Sequence, residues 1–338
     1  MGRLRWSGIL GVALAAAAAV LAGSVGAQPK TVVWNLPHVA APTYYHIVNL
    51  NAFAARVKEK SGGRMEIRVH PASSLYPQQE LIPAVLDGRV EIAPVLAAYL
   101  TDVLLEVGVL ELPFMTASLD EHQRAQQALR PFYTEQFAKR GLKLLAAYAW
   151  PSQQLFSHQP IRTVADWKGK KIRVYGADSA NLARALGAAP TNIAFGELYS
   201  ALEKKVVDGA MTSATNAEPM KLFEVTKVVN YWYLAGASGE WLVANQRAWD
   251  ALPKDLQTVV LEALRDLRFE DKEWEDARAF EERTLRRLPE LGMTVVNPPP
   301  AEIEQARRLA RAAWDQWLAR TGADGRRALD LALKALGR

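Results

Sequence analysis

Five dispersed histidines (His38, His46, His70, His122 and His158), one arginine set in an apolar strand and no cysteine are the chain's conspicuous chemical resources. His38 and His46 lie nearest each other, but they flank a proline-containing loop with no acidic third ligand, which argues against a metal site. The spacings H-E-x-x-H, G-x-x-x-x-G-K-[ST], G-x-S-x-G and G-x-G-x-x-G are all absent, and with no cysteine there is no thiol nucleophile. Triads are assembled in space, so these absences weaken the case for an enzyme without closing it. Arg173 is the more informative residue. In a strand over Lys171–Tyr175, Ile172 and Val174 point to one face and Arg173 to the other. A guanidinium presents a planar pair of donors that matches a carboxylate, which lysine cannot reproduce. In open α/β sheets ligands bind beyond the carboxyl ends of the strands, where Arg173 lies just before Gly176. Taken alone, these residues leave two roles open, a carboxylate anchor or a surface ion pair.

The elements that must position Arg173 follow from periodicity. Lys30–Leu36 reads as a strand, Tyr44–Lys60 as a helix, Met65–Val69 as a half-buried strand, Glu80–Asp87 as a helix closed by Gly88, and Val90–Val95 as a strand. A second such unit follows Pro151, with the Arg173 strand, helices over Ser179–Leu186 and Glu197–Lys205, and a strand over Val206–Thr212. This alternation predicts α/β architecture with crossover helices and largely parallel pairing. A shift of 117 residues superimposes Glu80-Leu81 on Glu197-Leu198, Ala84 on Ala201, Val90 on Val207 and Ala93 on Ala210, which supports two related domains. From Lys254 to Leu288 there is neither glycine nor proline. A single helix there would be roughly 52 Å long, more than a small domain's diameter, and is expected to span both domains. Two amphipathic helices, about 301–319 and 323–336, end the chain.

The amino terminus carries Arg3 and Arg5, then an uncharged apolar run, then small residues ending Val25-Gly26-Ala27. That order predicts a secretory signal peptide over 1–27, cleaved before Gln28, in preference to an uncleaved anchor. Its removal takes two arginines and no acid, lowering the formal net charge from +5 to +3. The remaining basic residues are interspersed with acids, which argues against a nucleic-acid partner. The length beyond the leader favours two domains over one.

One ordered series of motifs carries a resemblance. Pro160-Ile161-Arg162, Asp166-Trp167-Lys168-Gly169-Lys170-Lys171-Ile172-Arg173-Val174 and Gly187-Ala188-Ala189-Pro190 are followed by Phe195-Gly196-Glu197-Leu198-Tyr199-Ser200-Ala201-Leu202 and Val207-Asp208-Gly209-Ala210. With Ser61-Gly62-Gly63-Arg64, Ala84-Val85-Leu86-Asp87-Gly88 and Asn245-Gln246-Arg247-Ala248-Trp249, the series resembles the DctP-type extracytoplasmic solute-binding proteins of TRAP (tripartite ATP-independent periplasmic) transporters. The resemblance implies an α/β, two-lobed periplasmic-binding-protein fold (type II-like), with two Rossmann-like domains bridged by the long helix 254–288. The expected lobes are 28–150 with about 239–270, and 151–238 with about 271–338. It further implies a periplasmic protein that captures a small organic carboxylate and delivers it to small and large membrane permease subunits, with no cofactor and no catalytic role.

Arg173 stands where the resembling family places its carboxylate ligand. Gln153 occupies the place of a second arginine found in some relatives, which suits a monocarboxylate with an adjacent oxo or hydroxyl group. Thr212 stands near a cleft asparagine of other relatives, with Ser213 beside it. Trp34, Asn35, His38 and Tyr44 surround the first strand's exit toward the same cleft. Phe195 and Trp241 are candidates for an apolar wall, and Met211-Thr212-Ser213 with Tyr175 resembles a subgroup of the family, a resemblance that implies aromatic or apolar monocarboxylates. A secreted enzyme on this fold, or a ligand sensor for a membrane receptor, are the alternatives.

Overall fold

The computed structural model describes residues 31–100 and 103–338; the expected leader over 1–27 lies outside the described residues. The chain begins with β1 (Val32–Pro37), α1 (Tyr45–Lys60), β2 (Met65–His70), α2 (Gln78–Asp87) and β3 (Ile92–Leu96). Gly88 caps α2 in the left-handed region at φ 77°, the position that glycine fills without steric cost. A long helix, α3 (Leu119–Lys139), starts where the Ser118 side chain accepts the Glu121 N–H. It leads into β4 (Leu142–Trp150), and after Pro151-Ser152 the chain continues as β5 (Gln153–Ser157). Next come β6 (Lys171–Val174), α4 (Ala177–Ala185), β7 (Ala189–Asn192), α5 (Leu198–Glu203), β8 (Gly209–Ser213), α6 (Leu222–Val225) and β9 (Val228–Ala235). The remainder is β10 (Ser238–Asn245), α7 (Gln246–Ala251), α8 (Lys254–Asp266), α9 (Phe269–Glu290), β11 (Thr294–Val296) and α10 (Pro300–Ala335).

Two lobes result. One is built on the sheet β3-β10-β4 with the β1-β2 pair beside it, the other on a six-stranded sheet ordered β11-β9-β5-β8-β6-β7. The chain passes between the sheets at Pro151-Ser152 and again at Gly236-Ala237. At the second crossing a Cβ on Gly236 would lie 2.6 Å from Thr116 Oγ1 and 2.8 Å from Ser118 N, so only glycine fits. The expectation of largely parallel pairing needs correction. β1-β2, β6-β7, β6-β8 and β9-β11 are parallel, whereas β3-β10, β4-β10, β5-β8 and β5-β9 are antiparallel. The antiparallel half comes from β4, β5, β9 and β10, the strands that cross between lobes and return. These strands are buried on both faces apart from Tyr233 of β9, so no apolar-polar alternation marks them in the sequence.

The single helix expected over 254–288 is two helices in the structure. Arg268, at φ 47° and ψ 44°, separates α8 from α9. The break turns Phe269 into the core against Phe53 and Tyr148, while Asp266 stays at the surface, bound by Arg56 and Lys60. α9 still spans the lobes: Trp274 packs with Ala149 and Ala237 beside the two crossings, and Leu288 belongs to the second lobe's core. α10 also spans them. Its first part packs Ala306 and Ala310 on the second lobe, Gly322 interrupts it, and Ala328, Leu329 and Ala332 join the first lobe's core. A left-handed conformation costs an L-residue roughly 1–2 kcal/mol, and the ion pairs of Arg268 are exposed and worth little. Arg268→Gly is therefore expected to raise stability by about 0.5–1 kcal/mol, measured by urea unfolding; a loss of stability would show that the arginine's contacts matter more than its backbone.

Candidate ligand-binding site

Arg173 is the penultimate residue of β6 and is 1% exposed. The strands on either side hold it: Nε donates to Ile193 O just beyond β7 at 3.0 Å, and one terminal nitrogen donates to Met211 O in β8 at 2.8 Å. Its second terminal nitrogen has no partner among the described residues. Among the described residues no carboxylate forms an ion pair with it, and burial lowers its affinity for the proton. An arginine stays charged in a protein. A buried cation without a counter-ion is costly, and an anion reaching that nitrogen relieves the cost. The Tyr175 ring centre lies 5.6 Å from the guanidinium carbon, giving the cation an aromatic neighbour.

Arg173 faces a cleft between the lobes with an empty volume of about 450 Å³, mouth included. From the second lobe come Gln153, Thr212, Ser213, Asn216 and Phe195; from the first come Val39, Gln78, Leu96 and Tyr99. Trp150 and Ser238, next to the two crossings, complete the wall together with Tyr175, and among the described residues that line it Arg173 is the only arginine, lysine, histidine or carboxylate. Phe195 meets Trp150 edge-on at 6.1 Å, so one wall is aromatic. Burial raises the phenols of Tyr99 and Tyr175 above the ordinary tyrosine range. Gln153 donates its amide N–H to Pro151 O at 2.8 Å, leaving its carbonyl oxygen to accept. Asn216 donates to Thr212 Oγ1 at 2.8 Å, and Ser213 Oγ lies 2.7 Å from Thr215 Oγ1.

The structure thus brings together Arg173, Gln153, Thr212, Ser213 and Phe195. It does not bring the other five sequence candidates, Trp34, Asn35, His38, Tyr44 and Trp241, to the cleft wall. Trp241 is turned the opposite way, into the core against Tyr133 and Phe137, because alternation along β10 puts it on the far face of its sheet. Asn35 bonds His70 through Oδ1 at 3.0 Å, and its backbone N–H donates to Glu91 at 2.8 Å. Tyr44 sits one hydroxyl away from the cleft, 3.1 Å from Thr215 Oγ1 and so linked to Ser213. His38 lies behind Trp150, stacked on it at 6.1 Å and 3.8 Å from Glu240. Beside it His46 Nδ1 meets Glu273 Oε2 of α9 at 2.5 Å. Burial pushes Glu273 up to about 8 and His46 down to about 3, so this pair is held neutral. Trp34 belongs to the first lobe's core.

Sequence reasoning missed Leu96, Tyr99 and Asn216, yet the 117-residue shift contains them. β3 and β8 superimpose under it, as do the short 3-10 turns Ala97–Tyr99 and Ala214–Asn216 that follow. Leu96 therefore corresponds to Ser213 and Tyr99 to Asn216. The shared acid has one job in both units: Glu91 accepts the Asn35 N–H and Asp208 the Lys171 N–H, each at 2.8 Å.

Beside Arg173 the lobes nearly touch. A Cβ at Gly176 would stand 2.5 Å from Ala98 O across the cleft. Gly176→Ala is expected to wedge the lobes apart and weaken ligand binding more than tenfold while leaving ligand-free melting nearly unchanged. Calorimetric titration beside a melting curve checks this; unaltered affinity would mean the close approach is irrelevant to binding.

Two α/β lobes closing on a buried cation define a solute-binding protein of the transport type. The chain belongs to the DctP family, bacterial extracellular solute-binding protein family 7, whose model matches residues 36–321. It is 28% identical over 318 residues to the C4-dicarboxylate-binding periplasmic protein DctP of Rhodobacter capsulatus, covering 92% of this chain and 91% of that one. The solved structure of DctP7, a Bordetella pertussis extracytoplasmic solute receptor binding pyroglutamic acid, matches with TM-score 0.84 at 27% identity, covering 91% of this chain and all of that one. A TRAP solute-binding protein from Desulfovibrio salexigens with bound orotic acid matches with TM-score 0.84 at 26% identity, over 91% and 99% of the chains. The family is one of extracytoplasmic transport proteins, and among the described residues no helix is long and apolar enough to cross a membrane.

Proposed function

We propose that this protein captures a small organic monocarboxylate, of the size of a cyclic acid such as pyroglutamate, and passes it to the small and large permease subunits of a TRAP transporter. The observation that carries the reading is the terminal nitrogen of buried Arg173 that has no partner among the described residues, Arg173 being the only cation among those lining the cleft. One cation suits one carboxylate. Gln153 in place of a second positive charge leaves a dicarboxylate's other end unneutralised, which favours a monocarboxylate over the C4-dicarboxylates of the R. capsulatus relative. Neutral groups such as Tyr99, Asn216 and the Gln153 carbonyl suit an adjacent oxo, hydroxyl or amide group, and Phe195 with Trp150 an apolar ring face. The leader over 1–27 would be removed on export to the periplasm.

Thermal denaturation against a panel of acids, sugars and amines tests this. A ligand at 100 times its Kd adds about 2.7 kcal/mol. L-Pyroglutamate or another cyclic monocarboxylate should raise the melting temperature and succinate should not. Stabilisation by succinate alone, or by sugars and amines alone, would sink the reading.

A further inference from the structure

Glu111 is buried directly behind the cleft wall, at the end of a 3-10 segment, Leu105–Glu111, that packs on α10. Its Oε1 accepts the Gly239 N–H at 2.8 Å, and its Oε2 lies 2.9 Å from Ser238 Oγ. Ser238 itself lines the cleft. No ion pair neutralises Glu111 among the described residues. On its other side is a second cavity of about 360 Å³ empty volume, which it shares with Asp178 and Tyr175. The charged and titratable groups that face it are Asp178 of α4, Tyr175 after β6 and Tyr133 of α3, while Arg320 of α10 interacts with Asp178. Among the described residues no cation forms an ion pair with the carboxyl, and burial with the Asp178 charge pushes it up to about 8.

We propose that Glu111 is a positioning residue for the bound acid: as a neutral carboxyl it donates to Ser238 Oγ, which turns the Ser238 hydroxyl proton into the cleft as a donor to a ligand oxygen. The inference rests on the monocarboxylate reading above, and it adds a second, neutral donor to the charged one at Arg173. Oε1 is already committed as acceptor to Gly239, so the neutral acid's proton sits on Oε2, facing Ser238. A hydroxyl that accepts from Oε2 has its own proton free for the cleft. Once Glu111 ionises, the direction reverses. Ser238 must then donate to Oε2, its lone pairs face the ligand oxygen, and a buried negative charge stands behind an anion. The protonated protein is the binding form, so affinity is constant at lower pH and falls as pH rises through about 8. The other wall groups do not titrate in that direction over this range: Arg173 keeps its charge, and the phenols of Tyr99 and Tyr175 are held above it. Asp178, at about 6, changes charge lower down.

Calorimetric titration with L-pyroglutamate between pH 6.5 and 9.5 tests the assignment. Wild-type affinity should fall about tenfold or more across this range, the single-group limit being tenfold per pH unit. Glu111→Gln keeps both contacts, its oxygen accepting from Gly239 and its amide N–H donating to Ser238, and should bind at pH 9.5 as at pH 6.5. Ser238→Ala should bind several-fold more weakly at pH 6.5 and show a flat profile. A flat wild-type profile, or a Glu111→Gln protein that loses affinity as the wild type does, overturns the inference and leaves the monocarboxylate reading standing. If no acid of the panel binds at any pH, that reading fails and this inference falls with it.

Discussion

Arg173→Met should leave a folded protein that no longer binds its acid. Truncating one partner of a buried, hydrogen-bonded charge pair costs about 2–5 kcal/mol, or roughly 30- to 5000-fold in Kd. The loss sits at the upper end because the remaining wall offers only neutral donors, and the ligand's carboxylate would be desolvated without a counter-charge. Stability without ligand moves much less, because two changes oppose each other. Met211 O and Ile193 O lose their donors, at about 1–3 kcal/mol for each left unsatisfied, but an uncompensated buried cation disappears. Arg173→Lys should not restore binding, since one ammonium cannot hold two strand carbonyls and a carboxylate together. Isothermal titration beside thermal melting separates the effects. Retained affinity in Arg173→Met would remove the guanidinium from the site.

The second large effect is a fall in stability as pH rises from 6.5 to 8. Burial holds Glu111 and Glu273 at about 8 in the fold, against about 4.3 in an unfolded chain. A group whose pKa is raised by folding contributes stability that is fully present below its unfolded value and lost as pH climbs through the folded one. His46 and His122 are lowered to about 3 by burial, so they cost stability as pH drops below about 6.5. Between 4.3 and 6.5 the two carboxyls and the two imidazoles oppose one another. Above 6.5 only the carboxyls act, at about 1.4 kcal/mol per pH unit each, for on the order of 4 kcal/mol by pH 8. Glu240, which burial would raise but His38 holds below the ordinary carboxylate range, exerts its effect at lower pH, outside this window. Melting temperature should therefore fall by several degrees between pH 6.5 and 8, and Glu111→Gln with Glu273→Gln should flatten the slope. A melting temperature that rises over that interval would mean that His46 and Glu273 form an ion pair instead of a neutral contact.

Where the sequence reading succeeded, the signal was local. The Arg173 strand, the Gly88 cap, the break near 320 and the helix-strand unit repeated at 117 residues all depend on neighbours within about ten positions. The failures share a different cause. No residue between Lys254 and Leu288 forbids a continuous helix, and the turn at Arg268 exists because Phe269 gains more by packing on Phe53 and Tyr148 than the backbone loses. Trp241 and Asn35 are residue types that suit a cleft, but which face of a strand meets the cleft is set by partner strands far away in sequence. Ser238 and Glu111, 127 positions apart, have no local feature that pairs them.

The sequence by itself determined an α/β chain with a guanidinium at a strand end, and the order of its motifs placed that chain in a transport family. Periodicity and chirality act over short separations, so they are written in short stretches of residues. Only the tertiary structure decided that, among the described residues, Arg173 has no counter-ion, one of its terminal nitrogens has no partner, and the wall around it is otherwise neutral. Those properties are differences between what a buried group needs and what its distant neighbours supply, and they exist only once the two lobes have closed around it.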